Sequence, residues 1–524
     1  IWSRLVGSEM CIRDRVYDVT DYSPLFVDTL EIRAGNQQEL IDLKFVMIKG
    51  IPPRDVIDVE TIWRGDYGHA NIANDISLPP VDIPLNPNAS DYKVKTRTTG
   101  HWFGGFQNCA EFCPKLHHVK INGVKEFEWL NWKECANNPV IAQGGTWIYD
   151  RAGWCPGTFG TTYDHEITDL VNPGDTVNID YGMQVTSGGM EGNYRLTVQL
   201  ISYGAHNFQN DASIEDVIKP NKWEYYNRFN PMCDQPEIIL KNTGEQTLEN
   251  ATIEYWICGG PHEQFTWNGS LSFDESENVV LPIPNQSFWD HAQFCKRFHV
   301  AITQVNGTTD EYEKNNYYST TFETPPVYPN EISLWTRTNG AGYETRLFVT
   351  DVDGNEIFSR ISFQNNTLYK DTLTLDPGCY KIELIDTDHD GLNFFANNDG
   401  AGYFQIRKPS GAPLAGFDSD FGDQITHYFT VGYGLSNELN HTHSSLRCFP
   451  NPANSEINVE LSGFTGQIEV EVLGALHKSV RSKEVYANLL TKQINFNISS
   501  LNTGLYFIKA TDDYHSKIIK FLHE

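Results

Sequence analysis

Three short stretches hold the residue types best suited to chemistry. Cys109, Glu111 and Cys113 share the pentapeptide CAEFC. Further along, DRAGWCPG runs from Asp150 to Gly157 and supplies an acid, a cation and an aromatic ring in Asp150, Arg151 and Trp154. A carboxylate that activates water or handles a leaving nitrogen, with donors for an oxyanion, is what amide or carbohydrate chemistry uses. The third stretch, DTDHDG, places Asp386, Asp388 and Asp390 at alternate positions before Gly391. Alternate acids on a turning loop converge on a hard cation, so calcium is the expected ligand there. An EF-hand would need Glu at the twelfth position, where Asn397 stands. The competing reading is a solvated acidic turn.

These residues must be held by strands. Period-two alternation recurs: TVNIDYGMQV puts Val177, Ile179 and Tyr181 on one face, and YRLTVQLISY does the same with Leu196, Val198 and Leu200. EINVEL repeats it with Ile457, Val459 and Leu461. Turn clusters such as NPGD, VDGN and NTGE separate the runs, and long 3.6-period stretches are missing. The fold class is therefore all-β, with β-sandwiches in series. Clusters of Pro, Asn and Gly mark the boundaries. Residues 1–15 show neither alternation nor an apolar leader and are expected to be non-native, heading a chain that lacks its natural start. Segments 16–85, 86–210, 219–325 and 326–433 follow. Residues 434–445 form a linker and 446–524 a last domain. NGAGYE near Gly340 echoes DGAGYF near Gly400, a weak internal similarity.

The last domain reads FPNPANSEINVEL from Phe449, then GQIEVEVLG, LNTGLYFIKA and HSKIIKF. In that order these segments resemble the C-terminal sorting domain of type IX secretion substrates. The resemblance implies a small β-sandwich, an outer-membrane secretion machinery as partner, and a secreted or surface-attached product. The 219–325 segment, with EIILKNTGEQTLENATIEYWI, resembles Ig-like adhesion or spacer modules of surface proteins.

Residues 96–160, with CAEFC and DRAGWCPG, resemble the C-terminal jelly-roll of the peptide-N-glycosidase F family. YDVTDYSPLF and LKFVMIKGIPPRDV resemble the final strands of that family's first jelly-roll, so 16–85 is assigned to the first jelly-roll and 86–210 to the second. In this family the amide joining an N-glycan to asparagine is cleaved. The family's acid inside the Cys-x3-Cys loop falls on Glu111, its Arg on Arg151 as a substrate or oxyanion contact beside Asp150, and its aromatic wall on Trp154. Disulfides Cys109–Cys113 and Cys135–Cys155 are implied, and no cofactor. Two roles stay open for Glu111 and Arg151: site groups, or a pair that holds the loops together. For Trp154 packing is favoured. A second family Glu aligns with Gly35 and Asn36, and the principal Asp belongs to an upstream loop. A similar two-jelly-roll architecture occurs in copper-dependent peptide monooxygenases. His117 and His118 point to opposite faces of one strand, however, and the His-x-His of His441 and His443 lies in the linker.

The remaining composition narrows the class. A net charge of −29 over 524 residues repels phosphate backbones and excludes nucleic acid as a natural partner. No apolar run is long enough to span a bilayer. Ten cysteines in an exported chain favour disulfides; zinc would need a C-x2-C pair, which is absent. Cys258 and Cys295 are expected to pair across the third segment. Two functions stand side by side: a surface amidase acting on N-glycans of glycoproteins, and a non-catalytic glycan-binding or adhesion protein on the same fold. For the 524 residues as they stand, the expectation is little glycan release.

Overall fold

Alternation along the chain becomes strand pairing in the structure. The computed structural model describes residues 2–6, 14–32, 40–102, 109–140, 143–186, 192–293, 295–432, 445–462, 464–474, 479–488, 492–511 and 516–524. Three strands come first: β1 (Trp2–Val6), β2 (Asp14–Val16) and β3 (Leu40–Lys44), in the order β2-β1-β3. Residues 2–6 and 14–16, which show no side-chain alternation in the sequence, are held as strands by backbone pairing of β1 to β2 and to β3.

Eight further strands build one sandwich: β4 (Arg54–Gly68), β5 (Val81–Pro84), β6 (Asp91–His101), β7 (Leu116–Ile121), β8 (Val124–Leu130), β9 (Thr162–Glu166), β10 (Thr176–Met183) and β11 (Asn193–His206). Their sheets run β5-β10-β7-β8 and β4-β11-β6-β9, which is the strand order of a jelly-roll. Residues 54–84, assigned from sequence to a first jelly-roll, therefore complete the second one. The reason is register: β4 pairs along the whole of β11, from Asn193 opposite Gly68 to His206 opposite Arg54. Val177, Ile179, Tyr181, Leu196, Val198 and Leu200 all face the shared core. Each such side chain contributes about 1.5–3 kcal/mol by leaving water. The outer face of the β6 sheet is covered by residues 20–25. Asp21 pairs with Lys95 and accepts the Tyr203 hydroxyl at 2.7 Å.

The third domain begins at Ala212, earlier than the expected 219. Strand Ala212–Lys219 pairs with Glu237–Asn242, forming a three-stranded sheet over a four-stranded one that ends at Thr321. Cys258–Cys295 lies within this domain, and Cys233–Cys379 joins it to the fourth. The fourth domain, from Val327 to Val431, stacks a five-stranded sheet on a four-stranded one. The C-terminal domain is a separate compact unit. Its three- and four-stranded sheets span Ser445–His523 around Ile457, Val459, Leu461, Val470 and Ile508. Among the described residues, no helix is long and apolar enough to cross a membrane.

His117 and His118 take opposite faces of β7, as alternation requires. His117 is fully buried against Tyr181, Tyr194 and Trp129, with Nδ1 2.6 Å from the Tyr181 hydroxyl. His118 is half-buried across Gly182. The two rings cannot share a copper ion, and His441 and His443 lie outside the described residues. Burial pushes the His117 imidazole down to about 3. Its unfolded value is near 6.5, so protonation favours the unfolded chain. The stability of the neutral form is complete above about pH 6.5 and is lost as pH falls toward 3. Denaturant titrations should show His117→Gln removing about 2 kcal/mol of the loss between pH 6.5 and 5. An unchanged pH slope in the variant would show that His117 does not carry it.

Candidate functional site

The end of β6 is where the chemistry-bearing loops are stitched together. The Glu111 amide donates to Trp102 O at 3.0 Å, the Ala152 amide to Glu111 O at 2.9 Å, and the Gly100 amide to Ala152 O at 2.9 Å. Lys133 and Arg151 exchange backbone hydrogen bonds at 2.8 and 3.1 Å. The disulfides Cys109–Cys113 and Cys135–Cys155 close the loops on either side, with Cα atoms 5.5 and 5.4 Å apart. Gly153 has φ +76°, and a Cβ there would sit 2.2 Å from Thr98 O. Only glycine lets DRAGWCPG lie this close to β6.

Arg151 is the centre of this arrangement. It is 3% exposed, and its Nε donates to Glu111 Oε1 at 3.2 Å. One terminal nitrogen donates to Tyr149 O at 2.6 Å and Trp147 O at 3.4 Å. The other donates to Thr146 O at 2.8 Å and Thr146 Oγ1 at 3.2 Å. The guanidinium also lies 5.0 Å from the ring centroids of both Phe112 and Trp154. All five donors are therefore engaged by the loop 146–149 and Glu111. Of the two roles left open for Arg151, this geometry supplies the contacts of the loop-holding one: its fork is directed at the loop 146–149 and at Glu111. Trp154 donates Nε1 to Gly100 O at 3.0 Å and is half-buried, in keeping with packing. Asp150 Oδ1 accepts the Cys135 amide at 3.0 Å.

Glu111 and Asp150 open onto a cleft of about 1120 Å³. Its jelly-roll side includes Phe112, Trp132, Glu134, Ile148 and Tyr149; its opposite side is the fourth domain, through Asp388, His389, Asp390, Phe394, Asn397 and Asp423. Three contacts hold the fourth domain against the jelly-roll here. Trp147 donates Nε1 to Asp420 Oδ1 at 2.9 Å, and Tyr149 packs edge-on against Phe394 at 5.5 Å. Arg228, 6% exposed, joins Ala136 O on the jelly-roll to Phe421 O, Asp423 Oδ1 and Gln424 O.

Two stretches singled out separately, CAEFC and the acidic loop, thus share one cleft. The acidic group itself differs from the expected trio. One carboxylate oxygen from each of Glu344, Asp386 and Asp390 lies within 4.8 Å of the others, and Asp388 is not part of the cluster. Strand register explains this. Thr345 is opposite Asp386, and the Thr387 amide donates to Glu344 O at 3.1 Å, which sets Glu344 beside the loop. Burial, then the charges of Asp386 and Asp390, push the Glu344 carboxyl up to about 8. Burial, followed by the Asp390 charge, pushes Asp386 up to about 7.

Comparisons with known proteins fall on the same regions. Residues 69–201 match the family described as peptide-N-glycosidase F, C terminal, and residues 447–524 match the secretion system C-terminal sorting domain. The first match leaves out β4, which closes the jelly-roll. A sorting domain of this type IX kind directs its chain to secretion or to the cell surface. Peptide-N(4)-(N-acetyl-beta-D-glucosaminyl)asparagine amidase F of Elizabethkingia miricola is 27% identical over 206 residues, or 36% of this chain. The match spans 57% of that relative's length. The solved structure of PNGase F, a glycosylasparaginase from Flavobacterium meningosepticum, is 24% identical, with TM-score 0.24 over 28% of this chain and 51% of its own. The PNGF-II structure is 18% identical, with TM-score 0.23 over 29% and 31%.

A buried guanidinium with five acceptors differs from its partly buried acid in what removal costs. Arg151→Met should destabilise the jelly-roll by about 3–5 kcal/mol, since carbonyl acceptors and Glu111 lose their donor in a dry site. Glu111→Gln keeps an acceptor for Nε and should cost about 1 kcal/mol. Denaturant unfolding followed by tryptophan fluorescence measures both. Equal losses would contradict the organising role of Arg151.

Proposed function

We propose that the chain is a secreted or surface-held protein that engages N-glycan-bearing peptides in the cleft between the second jelly-roll and the fourth domain. The observation that supports this reading is the placement of Glu111 and Asp150 on one cleft with Phe112, Trp132 and Tyr149. Aromatic faces take sugar rings, and carboxylates take hydroxyl and amide hydrogens. Glu111 is the candidate acid at the asparagine side-chain amide. In an amide hydrolysis it would accept the proton of the attacking water as the carbonyl carbon gains oxygen. Glu111 then returns that proton to the nitrogen as the C–N bond breaks, so the nitrogen leaves as the glycosylamine and the carbonyl carbon remains as the aspartate carboxyl group. Arg151 acts through Glu111 as a positioning residue, because its own donors are engaged.

The non-catalytic reading has specific support. With Arg151 turned into its own loop, the described jelly-roll residues that line the cleft include no cation for the oxyanion. The only basic group among the lining residues is His389, from the fourth domain. A glycan-binding role needs no oxyanion donor. Two assays on the same chain separate the readings. An asparagine-linked chitobiosyl peptide should bind, and Tyr149→Ala with Trp132→Ala should weaken it at least tenfold, about 1.4 kcal/mol. The 524-residue chain should release little or no glycan from a denatured glycoprotein. Release that disappears in Glu111→Gln would establish the amidase reading instead, and absence of binding would remove both.

A further inference from the structure

The 386–397 loop holds more buried negative charge than its protein partners balance. Glu344 and Asp386 are each 1% exposed. Glu344 Oε1, Asp386 Oδ2 and Asp390 Oδ1 are buried and have no hydrogen-bond partner among the described residues. The other oxygens are tied back. Asp386 Oδ1 accepts the amides of Asp388 and Asp390 at 3.1 and 3.2 Å, and Asp390 Oδ2 accepts Asn397 Nδ2 at 2.8 Å. The loop thereby holds one free oxygen of each aspartate inward. Gly391, at φ +76°, allows the turn; a Cβ there would meet Ser419 O at 2.6 Å. Asn339 lies beside Glu344 and relieves it in part, but as an amide it brings no charge. Unpartnered carboxylates in a dry site are costly unless a cation neutralises them.

We propose that Glu344, Asp386 and Asp390 bind one calcium ion, which fixes the 386–397 loop as a wall of the cleft. The donor set is entirely oxygen and anionic, which suits a hard cation and not a thiolate- or imidazole-preferring one. Calcium takes roughly 6–8 oxygens and tolerates irregular geometry, so three carboxylates with water complete a site that the stricter octahedron of magnesium would not. Asp390 and Asn397 belong both to this loop network and to the cleft lining. Filling the site therefore sets the shape of the cleft. The ion's role is structural, and the proposal stands whether or not the cleft takes a glycan.

The full chain, stripped with EDTA and exchanged into chelator-free buffer, is titrated with calcium chloride by calorimetry and melted with and without it. One calcium per chain is expected, with a melting-temperature rise of about 5–10 °C at a hundred times Kd. Hydrogen exchange in peptides covering 386–397 should slow. Glu344→Gln should abolish the calcium response and raise the melting temperature in EDTA, since it removes a buried charge. Asp388→Asn should keep the response, because Asp388 lies outside the cluster. Asp390→Asn, at the less buried corner, gives the same test if Glu344→Gln does not fold. The proposal is overturned by no heat and no shift at millimolar calcium, by undiminished binding in Glu344→Gln, or by an equal shift with magnesium.

Discussion

A guanidinium stays charged inside a protein, so burying Arg151 obliges the chain to supply acceptors around it. That single requirement fixes the cleft. Thr146, Trp147 and Tyr149 must turn their carbonyls inward, which sends the Trp147 indole and the Tyr149 ring outward to Asp420 and Phe394. Glu111 must close the remaining side, and it does so from a disulfide loop whose backbone is bonded to Trp102 and Ala152. The same cation therefore positions the candidate acid and presents the aromatic surface on which the fourth domain docks.

The docking has a second cation at its centre. Arg228 lies between the third domain's first two strands, Ala212–Lys219 and Glu237–Asn242, yet its donors reach the jelly-roll at Ala136 and the fourth domain at Phe421, Asp423 and Gln424. Burial lowers its affinity for the proton, and Asp423 opposes that effect. The third domain is thus more than a spacer: the connection between its first two strands, with Cys233–Cys379, locks the angle between the two domains that form the cleft. Separate sandwiches on flexible linkers would leave Glu111 and the acidic loop free to drift apart. Here they meet through contacts made by three domains.

Much of this was legible in the sequence, and the failures share one cause. Local alternation is enough to place Val177, Ile179 and Tyr181 in the core, because a strand's facing is set by its neighbours in the chain. The pairs Cys109–Cys113 and Cys135–Cys155, and the meeting of Glu111 with Arg151, were implied by the family resemblance that the two motifs CAEFC and DRAGWCPG carry, each within a short stretch. What was missed depends on long-range register. Residues 54–84 were given to the wrong sandwich because only the pairing of β4 with β11 assigns them. Glu344 went unnoticed because nothing local links it to Asp386; the strand pairing Thr345 to Asp386 does. One signal was present: NGAGYE, which contains Glu344, echoes DGAGYF, and Gly340 donates to Asp399 O across the two segments. The choice between the two roles of Arg151 was open in the sequence for a related reason. A motif gives the residue but not which of its donors the fold has already engaged.

The distribution of charge bears on what the cleft can accept. The chain carries 39 Lys and Arg against 68 Asp and Glu. Several of its cations, Arg54, Lys93, Arg151 and Arg228, are buried and paired. Lys93 joins the jelly-roll to Asp274 of the third domain, as Arg228 joins domains at the cleft. These four cations organise structure from within, and the excess of acids over bases falls on the rest of the chain. Among the lining residues of the cleft, Glu111, Glu134, Asp150, Asp388, Asp390 and Asp423 face a single histidine. A phosphate or sialate would meet repulsion focused by low-dielectric walls. An uncharged ligand rich in hydroxyl and amide hydrogens meets none, and carboxylate oxygens that the protein has not already engaged accept from it. The same imbalance of charge that disfavours a phosphate backbone therefore favours a neutral ligand in this cleft over an anionic one.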